Sequence, residues 1–127
     1  TTFLGGDVLH TVAGDAAAEG VYVGTPFTET SRDTVARRFI PAFQNRFGQL
    51  PDAHAALAYD ATKLLARAIA AVGPDREKVR TYLSQLASTP FHGVEGAVHF
   101  TAANDPVGDN FQITRVHSGV MLPLEQR

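Results

Sequence analysis

Apolar residues recur at three- and four-residue steps between Pro51 and Gly73: Leu57, Ala61, Leu64, Leu65, Ala68, Ile69 and Val72. That spacing is one stripe of an α-helix and predicts a single long helix. Asp60, Lys63 and Arg67 fall on the other face, where Asp60 can pair with Lys63 one turn on. Asp52 offers an N-cap oxygen, and Gly73-Pro74 offers a stop followed by a breaker. The stretch is rich in alanine, so the helix can lie close to a sheet or to another helix.

Two helices flank it. Ser31 is placed to cap the first, with Asp33 in its opening turn, where negative charge suits the dipole. Phe39, Phe43 and Phe47 follow at four-residue spacing and read as core. Pro41 inside that pattern predicts a kink or a break, and Gly48 ends it. Asp75 caps the other helix, which turns Val79, Tyr82, Leu83 and Leu86 inward and ends near Ser88. Earlier in the chain, Thr2 to Leu4 reads as a strand end, Gly5-Gly6-Asp7 as a tight loop, and Val8 to Ala13 as a short helix. Val21 to Phe27 is β-branched and aromatic and is interrupted by Pro26, the composition of a buried strand at its end. Ala97 to Phe100 is a short strand and Thr101 to Asp109 a polar loop. Phe111 to His117 is a strand of imperfect alternation, turned by Ser118-Gly119 into Val120 to Leu122. Strand, block of helices, then strands: the order favours α/β or α+β.

Composition narrows the class. With 127 residues the chain is one domain's worth, and 44% hydrophobic residues is the ordinary globular fraction. A net charge of −2 with scattered basic residues leaves no footprint for nucleic acid or an anionic membrane. No apolar run approaches the ~20 residues that span a bilayer. The absence of cysteine excludes disulfides and thiolate metal sites. The first residue is Thr1, in what reads as the middle of a strand, so a piece of something longer is expected.

Candidate chemistry is sparse. No phosphate-cradling glycine loop occurs, and the five histidines show no helical pairing with a carboxylate, so neither a metal site nor a cofactor is expected. Asp105 to Asp109 lacks the acidic ladder of a calcium loop, and the serines have no nucleophile-elbow context. No catalytic residue emerges. On pattern alone Asp7 reads first as a helix N-cap, and second as a carboxylate held in a cleft. His54 reads first as a solvated residue in the first turn of the long helix.

Phe39-x3-Phe43-x3-Phe47-Gly48-x2-Pro51-x2-His54-Ala-Ala-Leu-Ala-Tyr-Asp-Ala61, followed by Leu64-Leu-Ala-x-Ala-Ile69, resembles the C-terminal half of the amino-acid-binding proteins of branched-chain amino acid ABC transporters. Ala13-Gly-Asp-Ala-Ala-Ala-Glu-Gly20, Val79-Arg-x2-Leu83, Phe91-x-Gly-Val-x-Gly96 and Gly108-Asp109 are similar to further segments in the same order. The resemblance covers nearly the whole chain. It implies an α/β, type I periplasmic-binding-protein fold of two lobes, of which this chain is the C-terminal portion and contributes to both. Residues 1–24 would belong to the second lobe. Residues 25–109 would return to the first as a helical segment opening with a crossover. Residues 110–127 would lie in the second lobe again.

By the same resemblance the ligand is an amino acid or a related small organic solute, and the partner is the membrane permease of an ABC importer. Location would be periplasmic or extracellular, with a lipid anchor in a Gram-positive source. Asp7 would receive the ligand's α-ammonium group, and His54 would face the cleft. Gly24, Thr25, Pro26 and Phe27 would form a hinge, with Gly108 to Asn110 as the second crossover. The same fold serves as the ligand-sensing domain of receptors and of transcription regulators, so it does not alone settle function. The helical stripes would lack part of the sheet that covers them, so the chain on its own is expected to self-associate.

Overall fold

The computed structural model describes residues 7–108 and 111–124. Among the described residues, five helices and six strands follow in the order α1 (Asp7–Ala13), α2 (Asp15–Ala18), β1 (Tyr22–Thr25), α3 (Ala36–Phe47), α4 (Ala53–Val72), α5 (Arg76–Ser84), β2 (Phe91–Gly93), β3 (Gly96–Phe100), β4 (Pro106–Gly108), β5 (Gln112–His117) and β6 (Val120–Pro123). The expected strand at Thr2 to Leu4 and the loop at Gly5-Gly6 lie outside the described residues. The strands form two antiparallel sheets, β1-β5-β6 and β2-β3-β4, and the buried apolar residues form two clusters.

The first core lies under one face of the β1-β5-β6 sheet. Val23 and Val116 point from it onto Ala18 of α2, with Leu9 of α1 and Met121 packed around them. The alternation of β5 is therefore real: Thr114 and Val116 face inward, while Ile113 and His117 face out. The Thr114 hydroxyl, fully buried, donates to the Val23 carbonyl at 3.0 Å. Ser118 and Gly119, both at positive φ, turn β5 into β6, as a two-residue hairpin loop requires. The Glu19 carboxylate closes that turn, accepting from the Ser118 N–H at 2.9 Å and meeting His117 Nδ1 at 2.8 Å. These contacts, the Ser118 hydrogen bond foremost, hold its carboxyl below the ordinary range.

The second core gathers Phe27, Ala36, Phe39, Ala56 and Val94. Phe39 is its centre, edge-on to Phe27 at 6.2 Å and tilted against Tyr59 at 4.7 Å. The phenylalanine stripe runs out of this core toward solvent. Phe39 is 6% exposed, Phe43 half-buried and Phe47 57% exposed, so only its first member is true core. Helix α3 continues through Pro41 without a break. Ser31 does not cap it. The Asp33 carboxylate does so, accepting from the N–H groups of Val35 at 2.7 Å and Ala36 at 3.4 Å.

Helix α4 has the expected ends: Asp52 Oδ1 accepts from the Ala55 N–H at 2.7 Å, and Gly73 follows at positive φ. Its buried face is displaced from the expected stripe. Ala56, Asp60, Leu64 and Ala68 are buried, whereas Leu57, Leu65 and Ile69 are exposed. Helix α5 begins at Asp75, which accepts from the Lys78 N–H at 2.9 Å, and ends at Ser84; turns carry the chain on to Ser88. The expected polar loop from Thr101 contains β4, which pairs with β3 through Val98↔Gly108, His99↔Val107 and Phe100↔Pro106.

Candidate functional site

The two cores are joined where β1 leaves its sheet. Thr25 is the last residue of β1 and pairs with Gln112, the first of β5, so the outgoing and returning strands run side by side at this point. Beyond Thr25 the chain is held locally. The buried Thr25 hydroxyl donates to the Phe27 carbonyl at 2.8 Å, and the Phe27 N–H lies 3.3 Å from the same oxygen. Gly24 carries the Phe111 ring so closely that an added Cβ would sit 2.6 Å from its tip. Gly24 to Phe27 thus form a narrow junction, with Phe27 already in the second core. Of the second crossover, Asp109 and Asn110 lie outside the described residues.

His54 is the second residue of α4. Its side chain is exposed, with Nδ1 3.7 Å from Asp52 Oδ2. Asp7 is the first residue of α1; its side chain lies outside the described part of the structure. Among the described residues no group of three His, Cys, Asp or Glu side chains is placed to hold a metal ion. No described helix is long and apolar enough to cross a membrane.

Near the junction lies a trough of about 660 Å³. Helix α4 forms one wall with Leu57, Ala61 and Leu65. Phe91, Val98 and Phe100 of the β2-β3-β4 sheet form the other, and Pro26 and Phe111 reach it from the junction. Nearly all of its lining is apolar. The exceptions are two carboxylates, Asp60 and Glu95.

The sequence pattern puts Asp60 on the polar face of its helix, paired with Lys63. In the structure its carboxylate is buried and accepts two backbone hydrogen bonds from the β2–β3 turn, Val94 N–H to Oδ1 at 2.8 Å and Glu95 N–H to Oδ2 at 3.0 Å. Burial outweighs those hydrogen bonds and holds its carboxyl above the ordinary range, with the charge of Asp33 adding to the effect. Asp33 is itself satisfied: burial opposes its ionisation, but His92 Nε2 at 3.0 Å and the two capping N–H groups outweigh burial and hold it low. Gly93 passes over Asp60 so closely that a Cβ there would collide with the carboxylate. Glu95 is 7% exposed, and its Oε1 has no hydrogen-bond partner. Burial, and secondarily the charge of Asp60, push it up to about 7.

Sequence reasoning missed both acids. Asp60 sits in a helical pattern that also suits a solvated carboxylate, and nothing in the pattern distinguishes the two. The signal for Glu95 was its place between Val94 and Gly96 in a tight turn between strands, where a charged side chain has little room to leave the core.

The family model for periplasmic binding proteins matches residues 1–120. A search of curated proteins gave no match. Among solved structures, the chain is similar to an ABC transporter substrate-binding protein of Desulfitobacterium hafniense in complex with Leu. The identity is 29%, the TM-score 0.73, and the match covers 94% of this chain and 34% of that one. It is also similar to a leucine-binding protein of Thermotoga maritima, with 26% identity and a TM-score of 0.74 over 88% of this chain and 32% of that one. A solute-binding protein from R. palustris in complex with benzoate matches with 24% identity and a TM-score of 0.73, over 91% of this chain and 32% of that one; this likeness speaks to the fold alone. The chain spans about a third of the length of the structures it matches.

Proposed function

This chain belongs to the periplasmic binding protein family, and on that premise we propose that it is part of the solute-binding component of an ABC importer. Its ligand is an amino acid or a similar small organic solute, held in a cleft between two lobes and delivered outside the cytoplasm to a membrane permease. The observation that carries this reading is the likeness, over 94% of the chain, to a substrate-binding protein in complex with Leu. Two separate cores joined by adjacent strands at Thr25 and Gln112 support it, because lobes that close on a ligand need a narrow connection. The role is binding and delivery, with no bond made or broken.

In this reading residues 1–24 and 110–127 serve one lobe and residues 25–109 the other, with Gly24 to Phe27 as the hinge. Asp7 accepts the α-ammonium group through charge-assisted hydrogen bonds, and His54 meets the ligand side chain at the start of α4. Calorimetry on the protein as its gene encodes it tests both roles. Asp7→Ala costs about 2–5 kcal/mol of affinity for an amino acid and much less for its deaminated analogue. His54→Phe shifts preference toward aliphatic side chains. Equal losses for both ligands remove Asp7 from the site, and unchanged relative affinities remove His54. No heat with any amino acid or with its deaminated analogue overturns the proposed ligand class.

A further inference from the structure

The β1–β5 ladder stops at the junction for a covalent reason. Its last pair is Thr25↔Gln112, and one further step of the same register sets Phe111 opposite Pro26. Proline has no N–H to donate, so the pairing cannot extend. A side chain holds the two connections together there instead. Gly24 pairs with Ile113, and Phe111 stands two residues before Ile113, on the same face of the sheet. Diagonal neighbours on one face lie within reach of an aromatic ring. The Phe111 ring leans back onto Gly24, where an added Cβ would lie 2.6 Å from Cζ and 2.9 Å from Cε1. Gly24 is not among the glycines at positive φ, so its backbone would accept a side chain and only the ring excludes one. An aromatic ring laid over a strand glycine covers backbone that is otherwise bare. The ring belongs to neither apolar cluster, and Phe111 is 70% exposed, so packing into a core does not explain its place.

We propose that Phe111 is a positioning residue of the hinge: its ring, seated on Gly24, ties the outgoing connection to the returning one, so that both move as a unit when the lobes open and close. The inference rests on reading the chain as part of a two-lobed binding protein. The Thr25 hydroxyl also braces the junction, but its bonds stay within one connection, whereas the ring crosses from one to the other. A rotation that separates or shears the two connections must slide the ring off Gly24. Without the ring each connection bends by itself, more open arrangements become accessible, and the open state gains conformational entropy. Ligand held in the closed cleft then leaves faster. Phe111 acts on release through the hinge and needs no contact with the ligand.

The test uses the protein as its gene encodes it, with spin labels on Ala17→Cys and Lys78→Cys, exposed positions on either side of the junction. Without added amino acid, the distribution of label distances should broaden in Phe111→Ala. It should broaden also in Gly24→Ala, whose methyl displaces the ring while leaving it in the chain. The double variant should broaden no further than either single one, because both lose the same seat. A distribution unchanged by either substitution, or broadening that adds in the double variant, overturns the proposal. Release of radiolabelled leucine from the unlabelled proteins should quicken about 3–10-fold in each variant, with association and melting temperature near the parent's. Release at the parental rate, or faster release only in step with a lower melting temperature, overturns the role in ligand release. Leucine that fails to bind the parent speaks against the proposed ligand and not against the ring, which the distance distributions still decide.

Discussion

Asp60, in the middle of α4, caps the turn at Val94: its Oδ1 accepts the Val94 N–H at 2.8 Å across 34 residues of chain, and its Oδ2 takes the next N–H, that of Glu95. A helix side chain thereby satisfies two buried backbone donors of a hairpin, and the helix and the β2-β3-β4 sheet are locked in one register. Removing it leaves both donors without a partner in a closed site. Asp60→Ala should destabilise the protein by roughly 2–4 kcal/mol in urea unfolding, with Asp60→Asn costing less because one acceptor remains. Gly93→Ala should also destabilise, since its Cβ collides with the same carboxylate. In Asp60→Ala the collision partner is gone, so the double variant should lose less than the sum of the two. Strict additivity would mean that the two residues do not share the site.

Glu95 makes the 127-residue chain sensitive to pH. Its folded value, about 7, lies above the ordinary 4.5, so folding favours the protonated form. The stabilisation is fully present below about 4.5 and is lost as the pH rises through about 7. The loss over that window is at most roughly 3 kcal/mol. Glu95→Gln, which keeps the shape and cannot ionise, should flatten the stability curve between those limits. A slope unchanged by the substitution would place the titrating group elsewhere.

The phenylalanines of α3 should separate by position. Phe39→Ala opens the second core beside Phe27 and Tyr59 and should cost about 3–5 kcal/mol. Phe47→Ala removes a side chain that is mostly in solvent, resting on Phe43 at 4.5 Å, and should cost about 1 kcal/mol or less. Equal losses in chemical denaturation would mean that the whole stripe is core.

The sequence by itself determined the elements that local chemistry governs. Helix α4 was legible from its period, its Asp52 cap and its Gly73 stop, because each acts within a turn of its own position. The Asp75 cap of α5 and the Ser118-Gly119 hairpin were legible for the same reason. The family was legible from the order of several weak motifs. Tertiary structure alone decided which face of α4 is covered. The period shows that a stripe exists, but Leu57 and Leu65 are more apolar than the Ala56, Asp60 and Ala68 that are buried. What places Asp60 inside is a pair of N–H donors on a turn more than thirty residues away, and no local pattern records them. Glu95 follows the same logic: its burial comes from the turn that Asp60 holds, so its altered titration is a property of the packed chain.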